Sequence, residues 1–151
     1  MTPWVKRLLI ANVAVYFLQL ALPITTDLLA FVPSRALVRP WTFVTYMFAH
    51  DPASVTHILF NMLVLYFFGP RVEERLGGTH FIRLYLFSGI VGAILSIFFA
   101  PMGFIVGASG AIFGVQLAFA KYWPRERIYI WGILPVEAWL LVLITTVFAL
   151  W

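Results

Sequence analysis

Three side chains in this sequence have types and spacing suited to acyl transfer. Ser109 sits in Gly107-Ala108-Ser109-Gly110, and His57 and Asn61 lie four residues apart, on one face of a helix if that segment is helical. A serine hydroxyl becomes a nucleophile only beside a base, and imidazole and amide N–H groups can hold a developing oxyanion. Each element also has a plainer reading. Small residues around a serine are a common packing surface between membrane helices, and a His/Asn pair inside a span can be a helix–helix hydrogen bond. The absence of cysteine removes a thiol nucleophile, disulfides and thiolate metal sites from consideration.

The elements that must position these residues are membrane helices. Of the 151 residues 63% are hydrophobic and only 11% charged, far too apolar for a water-facing shell, so lipid must be the outer solvent. Five apolar stretches approach the length of a span, at 8–22, 55–69, 81–100, 108–120 and 134–151, within one domain covering 1–151. The first follows Lys6 and Arg7 as a signal peptide would, but no small-residue cleavage site comes after it, so it reads as a retained span. Between it and the second lies a loop rich in aromatic residues. The expected fold class is an all-α polytopic transmembrane helix bundle.

Charge sets the orientation. With the N-terminus in the cytoplasm, that side collects Lys6, Arg7, Arg71, Arg75, Arg83, Lys121, Arg125 and Arg127, leaving Arg35 and Arg39 outside. The basic residues are scattered between apolar runs and form no patch for nucleic acid, so membrane lipids are the expected surroundings. Between Arg83 and Lys121 no charge occurs, yet the segment is too short for two full crossings and a turn. Pro101 and Gly103 break it, so the fourth span starts near Gly107 and is short, with its N-terminus sunk below the outer surface. Free N–H groups and the positive end of a helix dipole would then converge at Ser109, level with His57 and Asn61 near the outer end of the second span.

Four motifs resemble those of rhomboid intramembrane serine proteases, in order and at similar spacing. They are Trp41 followed by residues 42–50, His57-Ile-Leu-Phe-Asn61, Val72-Glu73-Glu74-Arg75-Leu76-Gly77, and Gly107-Ala108-Ser109-Gly110. The resemblance implies that Ser109 is the nucleophile, that His57 and Asn61 stabilise the oxyanion, and that Glu73 and Arg75 form a structural cluster at the cytoplasmic end. It implies transmembrane protein substrates, no cofactor and no metal, and the charge asymmetry makes the site open to the outer side. Thr42 stands where the family has arginine after the tryptophan, a departure that bears on lipid anchoring of the loop.

The larger departure concerns the base. Family members carry it as a histidine on a sixth span, whereas His50, His57 and His80 are the histidines here. The expectation is an incomplete rhomboid-like domain, inactive as it stands. Its fifth span would begin at Pro135, and a small-residue stripe at Gly110, Gly114 and Ala118 would await the missing helix. The alternative is a noncatalytic rhomboid-like protein that binds membrane helices.

Overall fold

The computed structural model describes residues 1–149. Its long helices are α1 (Pro3–Ala21), α4 (Val55–Leu76), α5 (Gly78–Phe99) and α6 (Ser109–Tyr122), followed by α7 (Ala138–Ala149). The loop after α1 holds the short helices α2 (Ile24–Leu29) and α3 (Thr42–Thr45), with a 3-10 turn at Pro33–Arg35 between them. By length and composition α1, α4 and α5 can each cross a bilayer. The segment expected as a short fourth span is the helix α6, whose 14 residues rise about 21 Å.

α1 begins at Pro3, five residues earlier than apolarity suggests, because its first turn is capped from a distance. Both carboxylate oxygens of buried Glu73 accept backbone N–H bonds, from Trp4 and Val5, at 3.0 Å each. Two of the donors that every helix N-terminus leaves unpaired are thereby satisfied by a negative charge, which the helix dipole also favours. The polar residues interrupting this apolar helix turn inward. Asn12, Tyr16 and Gln19 are buried along one face, and the Gln19 amide clamps the backbone of His50, donating to its carbonyl (2.8 Å) and accepting from its N–H (3.0 Å).

α4 runs through Gly69 and Pro70, where the second span was expected to end. A proline costs the helix one hydrogen bond, and Gly69 lets α1 come close enough that a Cβ there would lie 2.6 Å from Val5.

Two sequence expectations are corrected. Residues Leu134–Glu137 are not the start of the fifth span but a strand, β2, paired antiparallel with β1 (Arg127–Ile130). Trp131 (φ 53°) and Gly132 (φ 71°) turn the chain between them. The helix starts only at Ala138, where the incoming chain receives its first donors: Ala138 N–H bonds to the Glu126 carbonyl (2.9 Å) and Trp139 N–H to that of Pro124 (3.2 Å). The expected end of that span, 150–151, lies outside the described residues.

The glycine stripe of α6 is likewise not left waiting for a further helix. A Cβ on Gly114 would collide with Ser88 Oγ, and one on Gly110 would lie 3.9 Å from the Gly92 Cα, so these glycines seat α6 directly on α5.

The loop between α1 and α4 is tied down by polar contacts. Asp27 pairs with Arg39 at 3.1 Å and Arg35 at 3.7 Å, and Trp41 Nε1 donates to the Leu28 carbonyl at 3.0 Å. Thr42, in the place of the family's arginine, is buried and donates its hydroxyl to the Arg39 carbonyl at 2.6 Å. Phe31 and Ile105 exchange two backbone bonds of 2.9 Å, fastening this loop to the segment that leads into Ser109.

Candidate active site

Ser109 is the first residue of α6, and its side chain is exposed. The first intrahelical bond is from Ile112 N–H to the Ala108 carbonyl at 2.9 Å. The N–H groups of Ser109, Gly110 and Ala111 precede it and point out of the helix end. Just before it Gly107 takes φ +121°, a conformation open in practice only to glycine, and its N–H is held by the Tyr46 carbonyl at 3.0 Å.

His57 and Asn61 close over this turn. A Cβ on Gly107 would lie 2.8 Å from His57 Nε2, 2.9 Å from its Cε1 and 3.9 Å from Asn61 Nδ2. The Asn61 amide donates to the His57 backbone carbonyl one turn earlier at 3.0 Å. Thus α4 delivers an imidazole and an amide onto the backbone two residues before Ser109. Ser109 and Asn61 also share a cavity of about 420 Å³ between α4, α6 and α7, walled by Phe60, Val64, Gln116, Thr145 and Thr146. Tyr46 and Gln116 were missed by sequence reasoning. The signal for Gln116 was a buried amide in an apolar helix, and Tyr46 gave none, because its contribution to the turn is a backbone carbonyl.

The other histidines stand elsewhere. His80 is in the first turn of α5, at the opposite end of the bundle. His50 is fully buried in the loop before α4, packed edge-on against His57 with ring centroids 5.2 Å apart. Burial, reinforced by the neighbouring His57, pushes its pKa down to about 4, so at neutral pH it is an uncharged ring. Burial pushes the Tyr46 phenol the other way, up to about 12.

Glu73 and Arg75 occupy the far end of α4, with Arg75 stacked over Tyr122 at 5.1 Å and Glu73 capping α1. This junction of α1, α4 and α6 lies at the end of the bundle away from Ser109, on the same helix ends as Lys6, Arg7, Arg71 and Lys121.

A bundle of apolar helices, three of them long enough to cross a bilayer, with a serine at a helix N-terminus and an imidazole and an amide from a neighbouring helix beside the turn before it, defines a polytopic membrane protein with a largely apolar cavity at that turn. The rhomboid-domain family model matches residues 38–151, and the chain belongs to the rhomboid family. It is 44% identical over 75 residues to RHOMBOID-like protein 1 of Arabidopsis thaliana, over 50% of this chain and 19% of that protein. It is 36% identical over 86 residues to Rhomboid-like protease 3 of Toxoplasma gondii (57% of this chain, 32% of that protein). With Rhomboid protein 1, mitochondrial, of Saccharomyces cerevisiae it shares 36% identity over 90 residues (55% and 26%). The matched segment is thus less than a third of each of these relatives.

Proposed function

We propose that this chain carries the nucleophile and oxyanion site of a rhomboid-type intramembrane serine endopeptidase. The observation that carries the reading is the convergence of His57 and Asn61 on the turn that presents Ser109. Ser109 Oγ attacks the scissile carbonyl of a transmembrane substrate, and its proton passes to a base. The oxyanion so formed is held by the free N–H groups of the α6 N-terminus with His57 and Asn61. Collapse breaks the C–N bond, the base returns its proton to the leaving amine, and water then hydrolyses the acyl-enzyme. The cavity between α4 and α7 admits the substrate segment, with Phe60 and Val64 on one wall and Thr145 and Thr146 on the other.

Neither His50, which packs against His57, nor His80, at the other end, is placed to serve as that base, and it is sought on a histidine-bearing helix supplied in addition. The 151-residue chain alone is therefore expected to be inert, with its binding geometry retained. The gathering of basic residues at one end supports a cytoplasmic N-terminus and a site opening outward. Labelling of a Ser34→Cys variant from the outer side checks this in a chain that has no other cysteine.

The decisive assay is cleavage of a transmembrane test substrate by the short chain, by a form extended with a histidine-bearing helix, and by that form carrying Ser109→Ala. Activity is expected only in the second. Cleavage by the short chain that is lost on His57→Ala would make His57 the base. Cleavage surviving Ser109→Ala would remove the serine mechanism, and inactivity of all three forms would favour the noncatalytic, helix-binding role.

A further inference from the structure

The end of the bundle opposite Ser109 has a second cleft, which the chemistry proposed above does not use. It lies between the last turns of α4, the end of α6 and strand β1, and encloses about 330 Å³, at the lower end of the roughly 300–1,000 Å³ usual for ligand pockets. Phe67, Phe68, Phe119 and Ile128 make its walls apolar, and Arg71 and Arg127 bring guanidinium groups to it. Arg71 is pre-positioned: it bonds Glu126 at 3.0 Å and stacks over Trp123 at 4.4 Å and Phe119 at 5.4 Å, while its side chain remains 43% exposed. Arg127 is exposed and joins no ion pair among the described residues. Glu126 pairs with Arg71, and Glu137, opposite Arg127 across the hairpin, is engaged by Trp139 Nε1 rather than by Arg127, while Arg75 and Lys121 add positive charge beside Tyr122 on the same end.

An apolar slot with a net positive mouth is complementary to a molecule that is hydrocarbon along its length and anionic at its head. A zwitterionic choline headgroup would bring its own cation against the arginines. We propose that this cleft binds an anionic phospholipid, with its phosphate between Arg71 and Arg127 and the upper part of an acyl chain along Phe67 and Phe68. The site requires only that this end of α4 lie at a lipid–water interface, and it is independent of what Ser109 does. Because one wall is the hairpin that leads into α7, the bound lipid braces that hairpin against α4.

The test is lipid retention by the purified protein, measured by native mass spectrometry with phosphatidylglycerol and phosphatidylcholine in competition. Wild type should keep one phosphatidylglycerol in preference to phosphatidylcholine. An arginine at an anionic lipid surface is worth roughly a factor of five, so Arg71→Gln/Arg127→Gln should weaken retention by about twenty-five-fold. Arg127→Glu, which leaves the Arg71–Glu126 pair intact, should weaken it comparably. The charge-matched pair Arg7→Gln/Arg83→Gln, at the same end but outside the cleft, should retain the lipid. Equal retention of both lipids, or equal loss in the charge-matched pair, would refute a defined site in favour of diffuse attraction. Displacement of the lipid by millimolar glycerol phosphate, which has no acyl chain, would show a soluble-phosphate site and overturn the lipid assignment.

Discussion

Replacing Gly107 by alanine probes the candidate site with a single methyl group. The new Cβ would start 2.8 Å from His57 Nε2 and 2.9 Å from Cε1, where nonbonded heavy atoms settle nearer ~3.5 Å. The backbone cannot easily yield, since the Gly107 N–H is held by the Tyr46 carbonyl at 3.0 Å. The imidazole must therefore move by roughly 0.7 Å, which also disturbs its edge-on contact with the His50 ring. Misplacing a catalytic group by about 1 Å can cost on the order of a hundredfold in rate, so kcat should fall by roughly thirty- to a hundredfold in the form that carries the base-bearing helix. Alanine at φ +121° adds strain, about 1–3 kcal/mol, which thermal unfolding in detergent reads separately. The informative arm is a double-mutant cycle with His57→Ala: once the ring is gone, the rate penalty of Gly107→Ala should nearly vanish. Full kcat in Gly107→Ala, or strictly additive penalties in the cycle, would refute the placement of His57 over this turn.

Further expectations follow from the packing. Glu73→Ala removes two charge-assisted bonds to the α1 N-terminus and should destabilise the fold by about 3 kcal/mol or more in reversible unfolding, whereas the exposed neighbour Glu74→Ala should be nearly neutral. Gly114→Leu drives a side chain into Ser88 and should cost at least the roughly 1–3 kcal/mol of an overpacked core, partly relieved by Ser88→Gly. For His50 the folded pKa, near 4, lies below the unfolded value, so the unfolded chain binds the extra proton between about pH 6.5 and 4. Stability should thus be flat above that window and fall as pH drops through it, by up to about 3 kcal/mol. His50→Leu should flatten that part of the melting-temperature profile between pH 7.5 and 4.5.

The membrane class, the short helix that starts at Ser109 and the motif order were legible in the sequence because each depends on local quantities. Apolar run length fixes whether a segment can span, and Pro101, Gly103 and Gly107 fix where α6 can start. The four-residue spacing of His57 and Asn61 put them on one helix face, and the Asn61 amide lies within 3.0 Å of the His57 carbonyl. What the sequence could not say is which neighbour each face meets. The glycines of α6 advertise a close partner but do not name it, and only the assembled bundle assigns them to α5. Hydropathy reads Leu134–Glu137 and the helix after them as one apolar run, because strand and helix can be equally apolar. Cross-strand pairing to Arg127–Ile130 and the carbonyls of Pro124 and Glu126 decide where the helix begins. The α1 cap from Glu73 spans 68 residues of chain, and the contact of His57 with Gly107 joins two separate helices. Both are long-range juxtapositions whose energies depend on distances that tertiary packing alone sets; span lengths put His57 and Ser109 at one level, but the contact itself is not written in either segment.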